Sequence, residues 1–523
     1  MTEHPVSRRR LLKGGMMVAV GAALGRRLGQ QEAQASSTAP ASLGALFTIK
    51  NGDAGTFVFK VRTDAPANVR VRSYHTSGGP ETSIFSPWVG TLSATDPSKP
   101  RTHEAEIEFP SAAIPGVVGG HTFEVAVAPP DLTSPVILDA TKYTVREQPA
   151  QGQPAAFSVA FGSCMNVLYP QLPKFVRNDH TTDVPVPALR RVVDPASWGP
   201  YGLPQAYFHL GDFGYPDASA PVVKQYEDDV AAGKIGFRSA FQWVKGHAEF
   251  KAVATQMPTF VVPDDHDYGQ DGAYRGPGTS PPVPPGYAGK GPYKPYAAVA
   301  FQDVLPMYPF GSELTQPPNR VVSIGEIDFF LLDNRKFSDP QLSDPAYWEN
   351  QKWYSLLGST QRSWLKSSLK ASTAKVKVVL APQTFHYYWS AGERKDILNW
   401  IANNGVTGRI LLLTGDKHCQ GHFEWRTPGG PKVDEVMCSP IRNARLSPVT
   451  PGQVGRDANY SYGLNPKWTF TRYFPTGTAA PLSPAPVGEV VGFLHVDTTG
   501  PAEVVRVRLV QGDGTILYRR TLS

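Results

Sequence analysis

The sequence holds only three cysteines among 523 residues. The odd count excludes complete pairing within the chain. No apolar stretch is long enough to span a bilayer, which takes roughly 20 residues, and this excludes a transmembrane helix. No internal repeat is visible. No basic stripe interleaved with aromatics occurs, which argues against a strong nucleic-acid grip. What is present is globular material: 41% hydrophobic, 18% charged and 11% aromatic residues, enough for large cores. The length calls for two or three domains. The 49 glycines and 50 prolines predict many turns and long ordered loops.

The first 35 residues stand apart. "SRRRLLK" (7–13) is basic with paired arginines, "GGMMVAVGAALG" (14–25) is mildly apolar, and "AQA" (33–35) offers small residues for cleavage. This layout resembles a twin-arginine export signal. It predicts passage through the twin-arginine translocase in the folded state, with a cofactor already loaded, to a periplasmic or extracellular location without a stable membrane anchor. The other reading is a basic arm for nucleic acid or a membrane surface. The segment has six Lys/Arg and two Glu, so it carries +4 of the chain's +6 and leaves +2 for the rest. The basic pI therefore says little about nucleic acid. Cys419 and Cys438 flank "RTPGGP" (426–431), with their midpoint between Pro428 and Gly429. In a hairpin they would face each other within reach of a disulfide, leaving Cys164 over.

Residues 36–44 read as a linker. Over 45–147, short alternating runs ("GTFVFKVRT", "NVRVRSYH", "HEAEIEF", "HTFEVAVA", "TKYTVRE") predict an all-β sandwich of immunoglobulin or fibronectin type. Residues 148–156, "QPAQGQPAA", read as a second linker. From 157 to 523 the texture changes. Strand-like runs ("FSVAFGSC", "AYFHLGD", "TFVVPDD", "DFFLLDNR", "VKVVLAPQ", "RILLLTGD") alternate with helix-like segments ("FRSAFQWVKGHAEFKAVATQ", "STQRSWLKSSLKAS", "ERKDILNWIANN"). Ser359 or Thr360 is placed to cap the second helix. The alternation predicts a layered α/β domain. Three strands near the carboxyl terminus, "VVGFLHVDT", "AEVVRVRLVQ" and "TILYRRTL", are expected to complete a sheet at its edge.

The runs share one feature. Cys164 follows the first, Asp212 the second with Tyr215 three residues on, Asp265 and His266 the third, Asp333 and Arg335 the fourth, and Asp416 with His418 the last. In layered α/β sheets the ligand site lies outside the carboxyl ends of the strands. The stretch "PDDHDYG" packs three carboxylates and an imidazole against a buried strand, where unpaired charge is costly. Cations among them would cancel the repulsion. The chemistry suggested is a dinuclear metal site, and two metals roughly 3.5–4 Å apart suit in-line phosphoryl displacement.

The ordered set "FGSC", "GDFGYPD", "DDHDYG", "LLDNRKF", "LGSTQRSWLKSSLKAS" and "LLLTGDKH" resembles the PhoD-type alkaline phosphatases of the metallophosphoesterase superfamily. The resemblance implies an α/β layered metallophosphoesterase domain over 157–523. It implies that Cys164, Tyr215 and His418 bind a ferric ion, that Asp212 bridges both metals, and that Asp265 and Asp416 bind the second. Thiolate, phenolate and imidazole suit Fe3+; the oxygen donors suit Ca2+, or Mg2+ or Mn2+ in its place. It gives His266 the contact with phosphate and the protonation of the leaving oxygen. Asp267 would orient His266, or Asp264 and Asp267 would serve as outer partners of the ligands. Arg335 either stabilises phosphoryl oxygens or pairs with Asp333. His386 and Tyr387 line the pocket. Two features depart from the pattern: Pro263 stands where a tryptophan often precedes "DDH", and a long Pro/Gly loop spans 276–292, either a lid or a surface insertion.

The expected function is an exported phosphoesterase, an alkaline phosphatase and phosphodiesterase that hydrolyses phosphodiesters and phosphomonoesters by metal-activated water attack for phosphate scavenging. Two other classes stay open: a periplasmic or cell-surface binding protein with a structural metal site, and a nonspecific nuclease.

Overall fold

The computed structural model describes residues 42–50, 53–63, 66–74, 84–90, 103–110, 121–128, 142–146, 148–167, 185–213, 215, 241, 244–268, 301, 320–335, 338, 355–385, 391–426, 432–444, 469–473 and 487–522. The export signal read over 1–35, the Pro/Gly loop over 276–292, and His386 and Tyr387 lie outside them.

Eight strands come first: β1 (Ser42–Lys50), β2 (Asp53–Thr63), β3 (Asn68–Tyr74), β4 (Ile84–Phe85), β5 (Val89–Gly90), β6 (His103–Pro110), β7 (His121–Ala128) and β8 (Lys142–Val145). They form two antiparallel sheets, β1-β2-β6 and β4-β3-β7-β8, with β5 on β3. Period-two alternation turns Phe57, Phe59 and Val61 of β2 and Phe123, Val125 and Val127 of β7 inward. The Phe123 ring lies 5.3 Å from that of Phe57 and 5.1 Å from that of Phe59, so the sheets meet across an aromatic core. All five runs picked out by alternation are strands. β1 begins at Ser42, inside the stretch read as linker.

The second linker is tied down. Gly152 N–H donates to Gly325 O (2.8 Å), and Gly325 N–H donates to Pro149 O (2.9 Å). Gly325 has φ 58°, and a Cβ there would sit 2.9 Å from Gln153 O, so the turn needs glycine.

The remaining strands are β9 (Ala156–Gly162), β10 (Tyr207–Leu210), β11 (Thr259–Val262), β12 (Arg320–Ile324), β13 (Ile327–Leu331), β14 (Val376–Gln383), β15 (Arg409–Gly415), β16 (Gln420–Arg426), β17 (Lys432–Cys438), β18 (Asn443–Ala444), β19 (Thr469–Tyr473), β20 (Val487–Gly488), β21 (Val490–Asp497), β22 (Val504–Gln511) and β23 (Ile516–Leu522). β18 and β20 pair with each other; the rest form two mixed sheets, β11-β10-β9-β21-β22-β23 and β12-β13-β14-β15-β17-β16-β19. β9, β10 and β11 are parallel, as are β13, β14, β15 and β17. Parallel strands are covered on both faces, which explains their unbroken apolar runs. Phe208 of β10 stacks on Phe260 of β11 (4.9 Å) and on Phe329 of β13 (4.7 Å), joining the two sheets face to face.

Helices cover the outer faces. Leu189 and Val192 of α1 (Pro187–Val193) and Phe250 and Val253 of α2 (Ala248–Ala254) join the core of the first sheet. Leu365 and Leu369 of α3 (Gly358–Ala371) and Leu398 and Ile401 of α4 (Ala391–Asn403) pack with Phe330, Leu332 and Val379 of the second. The result is the layered α/β arrangement that the alternation predicts. The three carboxyl-terminal strands do more than finish an edge: β21 pairs with β9, so they make half of the first sheet.

Three local expectations are corrected. His247, in extended conformation, starts α2 and interrupts the long helix read over 237–256. Neither Ser359 nor Thr360 caps α3. Its first residue, Gly358, donates its N–H to Ser355 Oγ (2.9 Å), and Glu393 of α4 takes the Leu356 N–H (2.7 Å). β16 and β17 form the expected hairpin pair, but their register sets Cys438 opposite Gln420, one residue from Cys419. A one-residue offset turns side chains to opposite faces, and all three cysteines are free thiols.

Burial raises Glu393 to about 7, although bonds from Ser355 and Leu356 act to lower it. A carboxyl raised on folding favours the native state below its unfolded value, 4.5, and loses that advantage as pH rises through about 7. Chemical denaturation at a series of pH values is therefore expected to show the gap between wild type and Glu393→Gln changing by about 3 kcal/mol between these limits.

Candidate metal centre

Three carboxyl-end loops come from the first sheet's parallel strands and meet two from the second. Ser163 and Cys164 follow β9, Asp212 and Tyr215 follow β10, and Asp264 to Asp267 follow β11. Asp333 and Arg335 follow β13, and Asp416 and His418 follow β15. Glycines permit the closeness. A Cβ on Gly211 would lie 2.6 Å from Asp264 Cβ, and one on Gly415 would lie 2.1 Å from Ser163 Oγ.

Five non-glycine residues among those described have positive φ: Cys164 (60°), Asp212 (58°), Tyr215 (56°), Asp416 (62°) and His418 (52°). All five belong to the six residues singled out as ligands. Left-handed backbone is rare for residues with a Cβ and costs on the order of 1–3 kcal/mol at each position. Strain concentrated on one set of side chains marks the place where the fold gives up stability for geometry.

Asp212 is the hub. Its Oδ2 accepts from Tyr215 Oη (2.7 Å) and Cys164 Sγ (3.4 Å), and Tyr215 Oη lies 2.9 Å from His418 Nε2. Its Oδ1 accepts the His266 N–H (3.3 Å). Ligand atoms of Cys164, Asp212 and His418 lie within 4.8 Å of one another, and so do those of Asp212, Asp264, Asp265 and Asp416. Two donor groups thus share one carboxylate. The first is mixed S, N and O; the second is all oxygen. The structure brings together all six predicted ligands and His266. The His266 ring lies 4.2 Å from that of Tyr215 and is half-buried beside buried carboxylates.

The electrostatics demand positive charge. Burial raises the carboxyl of Asp212, and Asp265, Asp416 and Asp267 raise it further against the lowering effect of His266. Burial, then Asp212 and Cys164, raises the Tyr215 phenol. Burial, then Asp212 and Asp416, raises the Cys164 thiol. Asp264 Oδ2 is buried with no hydrogen-bond partner. Such a donor set, in which burial first and mutual repulsion second disfavour the charged forms, with an unpartnered carboxylate oxygen, fits cations.

Arg335 supplies one cation of the chain's own. It is 2% exposed and pairs with Asp264, with Asp265 (3.4 Å) and with Asp416 (3.3 Å). With its amide oriented to satisfy both groups, Gln383 Oε1 accepts from Arg335 at 2.7 and 3.2 Å. Asp333 accepts its backbone N–H (2.9 Å), and the guanidinium lies among the carboxylates of Asp264, Asp265 and Asp416.

Asp267 serves the backbone and not His266. Its carboxylate accepts the N–H groups of Asp212 (2.7 Å), Phe213 (2.7 Å) and Asp264 (2.9 Å), locking the β10 and β11 loops together. Ser163, Gln383 and Tyr268, which donates to Asp333, were not singled out by sequence. Only their places at strand ends hint at them. A separate buried group, His422, Glu424 and Asp434, is already paired with arginines: Arg426 with both carboxylates, Arg409 with Asp434 and Arg520 with Glu424.

Comparison with known proteins places this geometry. The family model for PhoD-like phosphatases matches residues 202–480, more than half of the chain. Asp212, Tyr215, Asp265, Asp416 and His418 lie within that match, and Cys164 precedes it. The fold is similar to a solved structure of PhoD at 16% identity, covering 92% of both chains with a TM-score of 0.51. It is also similar to the purple acid phosphatase PPD1 from yellow lupin (Lupinus luteus) seeds at 11% identity, covering 92% of this chain and 74% of that one with a TM-score of 0.57. At these identities the likeness is one of fold. No curated protein matches the sequence.

Removing the Asp267 clamp is expected to loosen both loops. Calorimetric titration of metal-stripped Asp267→Ala with Ca2+ should give an affinity about 10-fold or more below wild type, with near-UV circular dichroism retained.

Proposed function

Since the chain belongs to the PhoD-like phosphatase family and is a phosphoric ester hydrolase, we propose that it is a two-cation enzyme acting on both phosphodiesters and phosphomonoesters. The sharing of Asp212 between two donor groups carries this reading. Cys164, Tyr215 and His418 would hold one cation, Asp265 and Asp416 the other, and Asp212 both. The sulfur, phenol and imidazole donors favour Fe3+ in the first place, and the oxygen donors favour Ca2+ in the second, with Mg2+ or Mn2+ as substitutes. When bound, such ions neutralise the carboxylates, grip phosphoryl oxygens and make water nucleophilic near neutral pH.

The side chains do the rest. The backbone bond to Asp212 and the Tyr215 ring hold the half-buried His266 beside the donor groups. From there its imidazole protonates the departing alkoxide, and the ester oxygen leaves as an alcohol. Arg335 keeps Asp264, Asp265 and Asp416 in register and acts as a positioning residue, not a phosphate contact. Asp267 keeps the two loops joined. No described helix is long and apolar enough to cross a membrane. Export by the twin-arginine route for phosphate scavenging is part of the proposal, supported by the "SRRRLLK" segment.

Two variants test the assignment. Elemental analysis should find about one iron per chain in wild type and none in folded Cys164→Ala. Turnover of a chromogenic phosphodiester, with Ca2+ supplied, should fall about 100-fold or more in that variant. His266→Ala should keep its iron and lose about 100- to 10,000-fold in turnover, least for substrates whose leaving group needs no proton.

A further inference from the structure

The mechanism leaves two buried hydroxyls beside Cys164 without a role. Ser163 Oγ accepts the Asp416 N–H (3.3 Å). It also reaches two acceptors, Cys438 O (3.4 Å) and Cys164 Sγ (3.5 Å). A serine has one proton to give, so these two compete for it. A neutral thiol is a weak acceptor and leaves the proton to the carbonyl. A charged sulfur is the stronger acceptor and draws it away.

Ser439 presents the sharper case. It is completely buried, and its Oγ has no hydrogen-bond partner. Buried hydroxyls are almost always satisfied. Its backbone is held firmly, since Gln420 Nε2 donates to Ser439 O (2.7 Å). The chain beyond it runs alongside the Cys164 loop. Ile441 N–H donates to Ser163 O (2.7 Å), Arg442 N–H to Cys164 O (3.2 Å), and Asn166 N–H to Arg442 O (2.8 Å). Met165 and Arg442 form a parallel bridge. This buried hydroxyl without an acceptor therefore lies on the segment whose backbone is bonded along the Cys164 loop, and the Cys164 sulfur gains acceptor strength when it becomes a ligand.

We propose that Ser439, together with Ser163, donates a hydrogen bond to the Cys164 sulfur when that sulfur serves as a metal ligand, and so tunes how much electron density it gives the metal. This rests on Cys164 being a ligand, as argued above. Both serines are positioning residues: they touch the ligand and not the substrate. Hydrogen bonds to ligand sulfurs are a recognised lever on metal affinity and potential. Losing a donor makes the sulfur a better electron donor and lowers the energy of its charge-transfer transition.

The test adds cobalt(II) alone to the metal-stripped full-length protein and follows the sulfur-to-cobalt absorption band. Wild type, Ser439→Ala, Ser163→Ala, Ser439→Thr and Cys164→Ser are compared, each checked for folding by near-UV circular dichroism. The expected result is a band in wild type that Cys164→Ser abolishes. In Ser439→Ala it should move to lower energy, with cobalt affinity about 10-fold weaker, and Ser163→Ala should move it the same way. Ser439→Thr, which keeps the hydroxyl, should restore it. A wild-type band left unmoved in both alanine variants overturns the inference and leaves Cys164 as a ligand. No sulfur band in wild type overturns the ligand assignment itself, and the inference with it.

Discussion

Carboxylates buried together in a dry pocket repel one another, and the centre of this molecule is arranged around that repulsion. Asp212, Asp264, Asp265 and Asp416 gather with the Cys164 thiol and the Tyr215 phenol where water cannot screen them. Arg335 answers part of the charge from inside the chain. One guanidinium cannot balance so many acids, and burial pushes Asp212, Asp264, the Cys164 thiol and the Tyr215 phenol toward their neutral forms. Bound cations would complete the balance. On the proposed reading they would be structural components of the site before they are catalytic ones.

Holding such groups against their repulsion takes a rigid frame. Two sheets stacked through Phe208 and Phe329 present their parallel strands' carboxyl ends to one another. The loops beyond those ends are bent through left-handed conformations at five of the six candidate ligand positions. Asp267 locks two of the loops by three backbone bonds, and Ser163 joins the first strand's tip to the last through Asp416. Gly211 and Gly415 let these tips approach more closely than any side chain would permit. Strain, clamp and glycine contact all serve one end: donors fixed in place before a ligand arrives.

The cluster of reactive strand tips was legible because chemistry and position coincide in the sequence; the assignment of its members as metal ligands came from the resemblance to a family. Each reactive residue follows an apolar run, and parallel strands make such runs conspicuous. The layered α/β arrangement was legible for the same reason. Harder to read was anything that depends on how distant segments meet. Arg335 looked free to hold phosphate because its partners, Asp264 and Asp416, are about 70 and 80 positions away along the chain. Asp267 looked like a partner for its neighbour His266, yet its oxygens serve backbone from another loop. The Cys419–Cys438 pairing failed by one residue of register, which in a strand reverses the face. Ser439 carries no motif at all; its interest lies only in a buried hydroxyl with nothing to bond.

Thermal unfolding of the full chain, stripped of metal and then resupplied with iron and calcium, tests the central claim most directly. A ligand that binds only the folded state stabilises it in proportion to the logarithm of its concentration over its Kd. If cations balance the buried acids, the stripped protein melts at a lower temperature, and the melting temperature climbs as both metals are restored. An unfolding temperature that does not change with stripping or resupply would contradict the account, since the acids would then be stable together without external charge.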